Sequence, residues 1–210
     1  MRIFGIILAG GQGSRMGGAD KALLMLAGQP LIGHAVRRLQ PQVAALAISA
    51  NGDPDRFAGF DLRVIADLVP LQGPLAGVLA GLDWAAERGA DGVVSVAVDT
   101  PFFPFDLVAR LAALPGGAMA AGSTGLHPTF ALWPVALRRP LALALAAGER
   151  RLAAFADAQG LGRVTFPGPD RFFNINHPAD LLQAAALGEA PTSGETTTLG
   201  EANTLGEAGA

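Results

Sequence analysis

A glycine-rich stretch near the N-terminus, IILAGGQGSRMGGADK at residues 6–21, contains the residue types best suited to chemistry. Its five glycines follow a short apolar run, and two of its side chains, Arg15 and Lys21, are cationic. Glycine-rich backbone after a strand lets phosphate oxygens reach main-chain N–H groups. Arginine can grip such oxygens in a bidentate fork, and lysine adds a point charge. The stretch therefore predicts a phosphate site rather than a tight turn without a ligand.

Two common phosphate motifs fit this stretch poorly. A P-loop needs Ser or Thr after its lysine, but Ala22 follows Lys21. A dinucleotide fingerprint needs glycine where Met16 stands, and an acid or arginine after the second strand, where the residues are 49–51, Ser-Ala-Asn. A relaxed glycine spacing keeps a dehydrogenase as a distant alternative. The two added cations instead favour a triphosphate, since both could stabilise the charge on a leaving pyrophosphate.

Two acids follow predicted strands, where ligands bind in open α/β sheets. The segment VIAD ends at Asp67, and VVSVAVDTPFFP places Asp99 after a long apolar run. A turn cap is the structural alternative for Asp99, because Thr100 and Pro101 follow it. Mg²⁺ binds through one or two carboxylates plus substrate phosphates. We therefore favour metal binding for Asp99 and nucleotide positioning for Asp67.

The elements that must position these residues alternate along the chain. The patterns predict strands at residues 2–8, 44–50, 62–66 and 92–98, and helices at 30–39 and 74–88. Further helices are predicted at 105–113, 134–147, 150–158 and 178–186, with strands near Ala118, Phe130 and Val164. This alternation predicts an α/β fold, a three-layer sandwich with a mostly parallel, Rossmann-like sheet.

Composition narrows the class of protein. The 210 residues predict one domain at 1–188 and a disordered Gly-, Thr- and Glu-rich tail at 189–210. A net charge of −3 argues against broad nucleic-acid binding, and the lack of cysteine excludes disulfides and thiolate metal sites. No apolar stretch is long enough to span a bilayer, and the N-terminal sequence lacks a signal-peptide pattern, which predicts a cytoplasmic protein.

Taken together, the motifs give the chain a resemblance to a known family. LAGGQGSRMGGADKALL, GQPLI, SAN, VIAD, GPLAG, VDTPFFP, HPTFAL, AGERRL and FFNINHPADL follow one another between residues 3 and 186. In this order they resemble the nucleotidyltransferases that activate small molecules, most closely the molybdenum cofactor guanylyltransferases of the MobA type. Gly10-Gly11 and residues 16–18, Met-Gly-Gly, resemble the guanylyl-transferring branch, whereas cytidylyl-transferring relatives tend to have Ala-Ala-Gly.

The resemblance implies a reaction in which Mg-GTP and molybdenum-molybdopterin give the guanine dinucleotide cofactor and pyrophosphate. It implies hand-over of this labile cofactor to or from other proteins. Its catalytic residues would be Arg15, Lys21 and Asp99, with Mg²⁺ on Asp99. By matching motifs, the implied GTP site comprises Leu8, Ala9, Gly10, Lys21, Asn51, Asp67 and Asp99.

Two features leave alternatives open. Where family members often read Asn-Ala-Asn, this chain has Ser49, so the nucleotide contact of the first Asn is open. The NIN segment puts Asn174 and Asn176 on one side of an extended stretch, where they would read a pterin or a base, or cap the turn before Pro178. Rival functions are a nucleotidyltransferase using CTP or a sugar phosphate, and a non-catalytic GTP-binding module.

Overall fold

The computed structural model describes residues 1–10, 20–66, 73–168 and 171–188. Arg15 with most of the glycine-rich stretch, Asp67, and the predicted tail at 189–210 lie outside these ranges. Within them, none of the helices combines the length and the apolar character that crossing a membrane requires.

The main sheet has seven strands and is mostly parallel, which confirms the predicted fold class. In chain order, the strands of the described ranges are β1 Ile3–Leu8, β2 Met25–Leu26, β3 Gln29–Pro30, β4 Ala45–Ser49, β5 Arg63–Ile65, β6 Gly92–Ala97, β7 Ala118–Gly122, β8 Gly125–Pro134 and β9 Gly162–Thr165. In space the sheet runs β5-β4-β1-β6-β8-β7-β9, and β2 and β3 form a separate small hairpin.

One strand of the main sheet, β8, runs opposite to the other six. β1 pairs in parallel with both β4 and β6, and β5 continues the parallel half beyond β4. β8 is antiparallel to both of its neighbours, β6 and β7, and a two-residue turn joins β7 to β8 as a hairpin. β9 then pairs in parallel with β7.

Helices cover both faces of the sheet. They are α1 Leu31–Leu39, α2 Pro74–Glu87, α3 Leu107–Ala112, α4 Arg138–Ala146, α5 Leu152–Ala158 and α6 Pro178–Gly188. α1, α3 and α6 pack on the face that carries Ile3 and Ile7 of β1, while α2, α4 and α5 pack on the face of Phe4 and Ile6. Successive side chains of a strand point to opposite faces, so β1 is apolar throughout and buried on both sides.

The predicted elements correspond closely to those observed. The first four predicted strands are β1, β4, β5 and β6, and the predicted helices at 30–39 and 74–88 are α1 and α2. The helix predicted at 134–147 is shorter than expected, because Pro134 still belongs to β8 and a 3₁₀ turn at Val135–Leu137 precedes α4. The β2–β3 hairpin was not predicted, since its strands have only two residues each.

Candidate active site

The carboxyl ends of β1, β4 and β6 meet at one edge of the sheet. From β1 the chain builds outward through β4 and β5, then returns across β1 to form β6 on its other side. Such a switch point leaves a crevice where open α/β sheets bind ligands. Gly10, Asn51 and Asp99 each follow the end of one of these strands by two residues. Three of the predicted site residues are thus brought to the same crevice.

Backbone hydrogen bonds continue the sheet just past the strand ends and fix this edge. The N–H of Ala9 donates to the carbonyl of Ser49 over 2.9 Å, and the N–H of Val98 donates to the carbonyl of Leu8 over 3.2 Å. Ala9 is buried, Leu8 and Asn51 are half-buried, and Gly10 is exposed.

Helix α2 packs directly beneath this edge. A Cβ at Gly77 would meet Ser49 Oγ and lie 2.8 Å from Leu8 Cδ2, so a larger residue there would push against the side chains of both strand ends. Ser49 itself is buried, at 3% exposure, on the α2 side of the sheet.

Lys21 enters the crevice from the first turn after the glycine-rich stretch. Asp20 caps a 3₁₀ turn at Lys21–Leu23 by accepting a 3.0 Å hydrogen bond from the N–H of Ala22. The ammonium of Lys21 donates to Asp99 Oδ2 over 2.9 Å and to Asn176 Oδ1 over 2.8 Å. The side chains of Lys21 and Asp99 are 16% and 18% exposed, so the ion pair is largely shielded from water.

The segment before α6 closes the crevice from the other side. The N–H of Ile175 donates to the carbonyl of Asp99 over 2.8 Å, so the NIN segment is joined to the end of β6. Ile175 is buried, Asn176 is half-buried against Lys21, and Asn174 is exposed. The NIN segment itself is irregular rather than a strand. Of the two predicted amides, Asn176 is in contact with another predicted site residue, Lys21, within the described ranges.

Asp180 holds Asn176 in place from the first turn of α6. Its Oδ2 accepts the N–H of Asn176 over 2.7 Å and the N–H of His177 over 2.8 Å. These two hydrogen bonds, the one from Asn176 first, lower the pKa of the Asp180 carboxyl below its usual value. An acid at the third helical position that accepts the N-cap N–H is half of a capping box.

The stability that Asp180 contributes depends on pH in a testable way. Because its pKa is lower in the folded protein, the contribution is full above the unfolded pKa of about 4 and is lost as the pH falls through the folded pKa. Asp180→Asn should therefore lower the free energy of unfolding at pH 7 and lose this effect in more acidic solution. Urea unfolding at a series of pH values measures the difference. Asp106→Asn is the control, since that carboxylate lies 3.9 Å from Arg110 on the surface, and a pH-independent deficit for Asp180→Asn would contradict the prediction.

Comparison with known proteins places this geometry in a family. A family model described as the MobA-like NTP transferase domain matches residues 5–162. The chain belongs to this family. Molybdenum cofactor guanylyltransferase of Cereibacter sphaeroides is 55% identical over 189 residues, covering 89% of this chain and 97% of the relative. The protein of that name from Mesorhizobium japonicum is 50% identical over 198 residues, covering 88% and 95%.

A solved structure shares the fold of this chain. Molybdopterin-guanine dinucleotide biosynthesis protein A from Archaeoglobus fulgidus superposes with a TM-score of 0.66 at 24% identity, covering 88% of this chain and 98% of that one. The match to the family model ends at residue 162, so Asn176 and Asp180 lie beyond it.

Two described residues that support the crevice, Asp180 and Arg56, were not predicted from the sequence. Asp180 could have been found from its place three residues after His177, with Pro178 opening the helix between them, because this is the pattern of a helix start. Arg56, which contacts Asp20, follows Asp-Pro-Asp in a segment that reads as a surface turn, and no local signal marks it.

Proposed function

We propose that the protein acts in the cytoplasm and transfers GMP from Mg-GTP to the terminal phosphate of molybdenum-molybdopterin, releasing pyrophosphate. The observation that carries the proposal is the convergence of Lys21, Asp99 and Asn176 at the switch point of a chain whose relatives are named molybdenum cofactor guanylyltransferases. A crevice with a shielded cation and carboxylate suits a triphosphate better than a neutral ligand. Transient hand-over of the cofactor to or from other proteins is part of the same proposal.

The chemistry requires positioning and charge neutralisation more than proton transfer. An oxygen of the molybdopterin phosphate forms a bond to the α-phosphorus of GTP, and the bond from that phosphorus to the β-phosphate oxygen breaks. The attacking phosphate is already ionised, so the site needs no strong general base. Lys21, fixed by Asp99 and Asn176, is held ready to neutralise charge on the pyrophosphate that leaves, and Arg15 is proposed to act with it.

The donor set of the crevice fits Mg²⁺. Asp99 offers a carboxylate, and the described ranges contain no cluster of three or more His, Cys, Asp or Glu that would form a complete protein cage. Mg²⁺ characteristically binds one or two carboxylates together with substrate phosphates. We propose Asp99 as its ligand. When bound, the ion would supply further neutralisation of phosphate charge.

The remaining site residues are proposed from their positions. Leu8, Ala9, Gly10 and Asn51 surround the strand ends where the nucleotide would lie, and Asp67 is proposed to contact the same nucleotide. Asn174 and Asn176 are proposed to face the pterin side. Their segment is attached to the backbone carbonyl of Asp99 through the Ile175 N–H, and this supports the proposal that both substrates bind near Asp99.

Pyrophosphate release with each nucleotide tests the proposal. With molybdenum-loaded molybdopterin as acceptor, we expect GTP to give the dinucleotide product and CTP to react at least about tenfold more slowly, the smallest ratio that one lost base contact would produce. Equal or faster reaction with CTP, or reaction with a sugar phosphate acceptor alone, would favour the rival transferases. GTP binding without pyrophosphate release would indicate a non-catalytic module.

A further inference from the structure

Arg56 joins the two loops that border the nucleotide side of the crevice. Its Nε lies 2.8 Å from Asp20 Oδ2, and its Nη1 donates to the carbonyl of Asp53 over 3.1 Å. Its guanidinium carbon lies 4.7 Å from the centre of the Phe57 ring. One side chain therefore contacts both the turn that carries Lys21 and the loop that follows β4.

Local structure explains how Arg56 reaches this position. Asp53 caps a 3₁₀ helix at Pro54–Phe60 by accepting the N–H of Asp55 over 2.9 Å, which turns Arg56 back toward the loop it has just left. Gly52, with a φ of +87°, leaves room for it, since a Cβ there would lie 3.1 Å from Arg56 Nη1. The guanidinium of Arg56 therefore lies close to the backbone of Gly52, where a side chain would crowd it.

Asp20 gives the contact its connection to the site. One of its oxygens, Oδ1, caps the turn that begins at Lys21, while the other, Oδ2, meets Arg56. Because Lys21 is the next residue, the Asp20 carboxylate anchors the backbone from which the Lys21 side chain extends. Asn51, at the other end of the contact, lies one residue before Gly52.

We propose that Arg56 is a positioning residue, which through Asp20 fixes the distance between Lys21 and Asn51 before GTP binds. This rests on the proposed function, in which those two residues contact one nucleotide. Because Arg56 holds the distance between Lys21 and Asn51 in the free protein, the binding energy of GTP is not used to create it.

The expected effects distinguish a positioning role of Arg56 from a contribution to folding stability alone. The side chains of Arg56 and Asp20 are 24% and 26% exposed, and the buried Nε of Arg56 lies near Asp20 without forming a well-aligned hydrogen bond. Ion pairs without ideal geometry contribute little to folding. Loss of the pair should therefore leave the melting temperature nearly unchanged. Lys21 would keep its contacts to Asp99 and Asn176, so kcat should fall less than threefold. The affinity for GTP should decrease instead.

A double-mutant cycle with Arg56→Gln and Asp20→Asn tests the proposal. Asparagine caps helices as well as aspartate does, so the second change removes the charge and retains the cap. We expect each single variant to raise the KM and the calorimetric Kd for Mg-GTP about tenfold, and the double variant to be no weaker than either. Arg56→Lys should restore part of the lost affinity.

Arg163→Gln is the matched control, since it breaks a 3.0 Å ion pair with Asp157 and should alter none of these values.

Other outcomes would overturn the proposal. Wild-type affinity in both single variants would show that the contact positions nothing. Additive losses would show that Arg56 acts on the nucleotide directly rather than through Asp20, and a lower melting temperature with unchanged affinity would show a purely structural pair. If the wild-type protein itself bound no Mg-GTP, the proposed function would fall, and this inference with it.

Discussion

Asp99→Ala is expected to lower turnover by about 1,000-fold or more while the protein stays folded. The substitution removes the proposed Mg²⁺ ligand and one of the two groups that hold the Lys21 ammonium. Folding should survive, because Ile175 bonds to the backbone carbonyl of residue 99, which alanine keeps. Pyrophosphate release at saturating Mg-GTP measures the loss, and a thermal melt followed by circular dichroism verifies the fold.

Two further variants make the Asp99 result interpretable. Asp99→Asn retains a hydrogen-bond acceptor for Lys21 but removes the charge, so a loss as large as that of alanine would assign the effect to the carboxylate's charge. Asp91→Ala changes an aspartate at the opposite end of the same strand, where it accepts the N–H of Arg2, and should leave turnover intact. A fully active Asp99→Ala protein would contradict the proposed assignment of this site.

Gly117→Ala is expected to destabilise the fold by about 3 kcal/mol, through strain and overpacking together. The φ of Gly117 is +92°, a conformation that alanine adopts at a cost. An added Cβ would also lie 2.5 Å from the carbonyl oxygen of Leu132 and 2.7 Å from Pro134 Cδ. The clash falls on the pairing of β7 with β8, and the backbone of β8 has no flexible end that could move aside.

The neighbouring glycine supplies a matched control. Gly116 has a φ of +80°, and no described atom would lie within 4 Å of a Cβ there. Gly116→Ala should thus cost only the conformational part, about 1 kcal/mol. Urea unfolding compares the two variants. Equal destabilisation would mean that the β7–β8 contact yields to the added methyl group.

The elements of the parallel half could be predicted because their signals are local. β6 is apolar except for Ser95 and is followed two residues later by Asp99, and α2 opens on Pro74 after Gly73, so each boundary is marked in the sequence itself. The direction of a strand, in contrast to its boundaries, is not marked in its own sequence. Residues 130–133 of β8, Phe-Ala-Leu-Trp, are as apolar as those of a parallel strand, and the short turn that makes β8 antiparallel to β7 is a property of the pair.

Part of the candidate site could be proposed from the sequence, where one residue type indicated one chemistry. Lys21 and Asp99 were proposed separately, from a cation beside a glycine-rich loop and an acid after a strand, and the structure brings them to 2.9 Å. The partner of Lys21 at Asn176 could not be inferred, since an Asn before a Pro-led helix has several ordinary uses. Arg56 was missed because its role depends on a tertiary contact with Asp20.

The hydrogen bond from Lys21 to Asn176 has a consequence for how the active protein is made. The two residues are separated by 155 positions, and the intervening chain builds most of the sheet. Closing so long a loop costs entropy that later contacts must recover, so such contacts form late in folding. During synthesis, β1, β4, β5 and β6 can assemble well before residue 176 leaves the ribosome. The crevice is therefore completed only when the segment before α6 has been made, and a nascent chain with these four strands formed is still without the second group that orients its lysine.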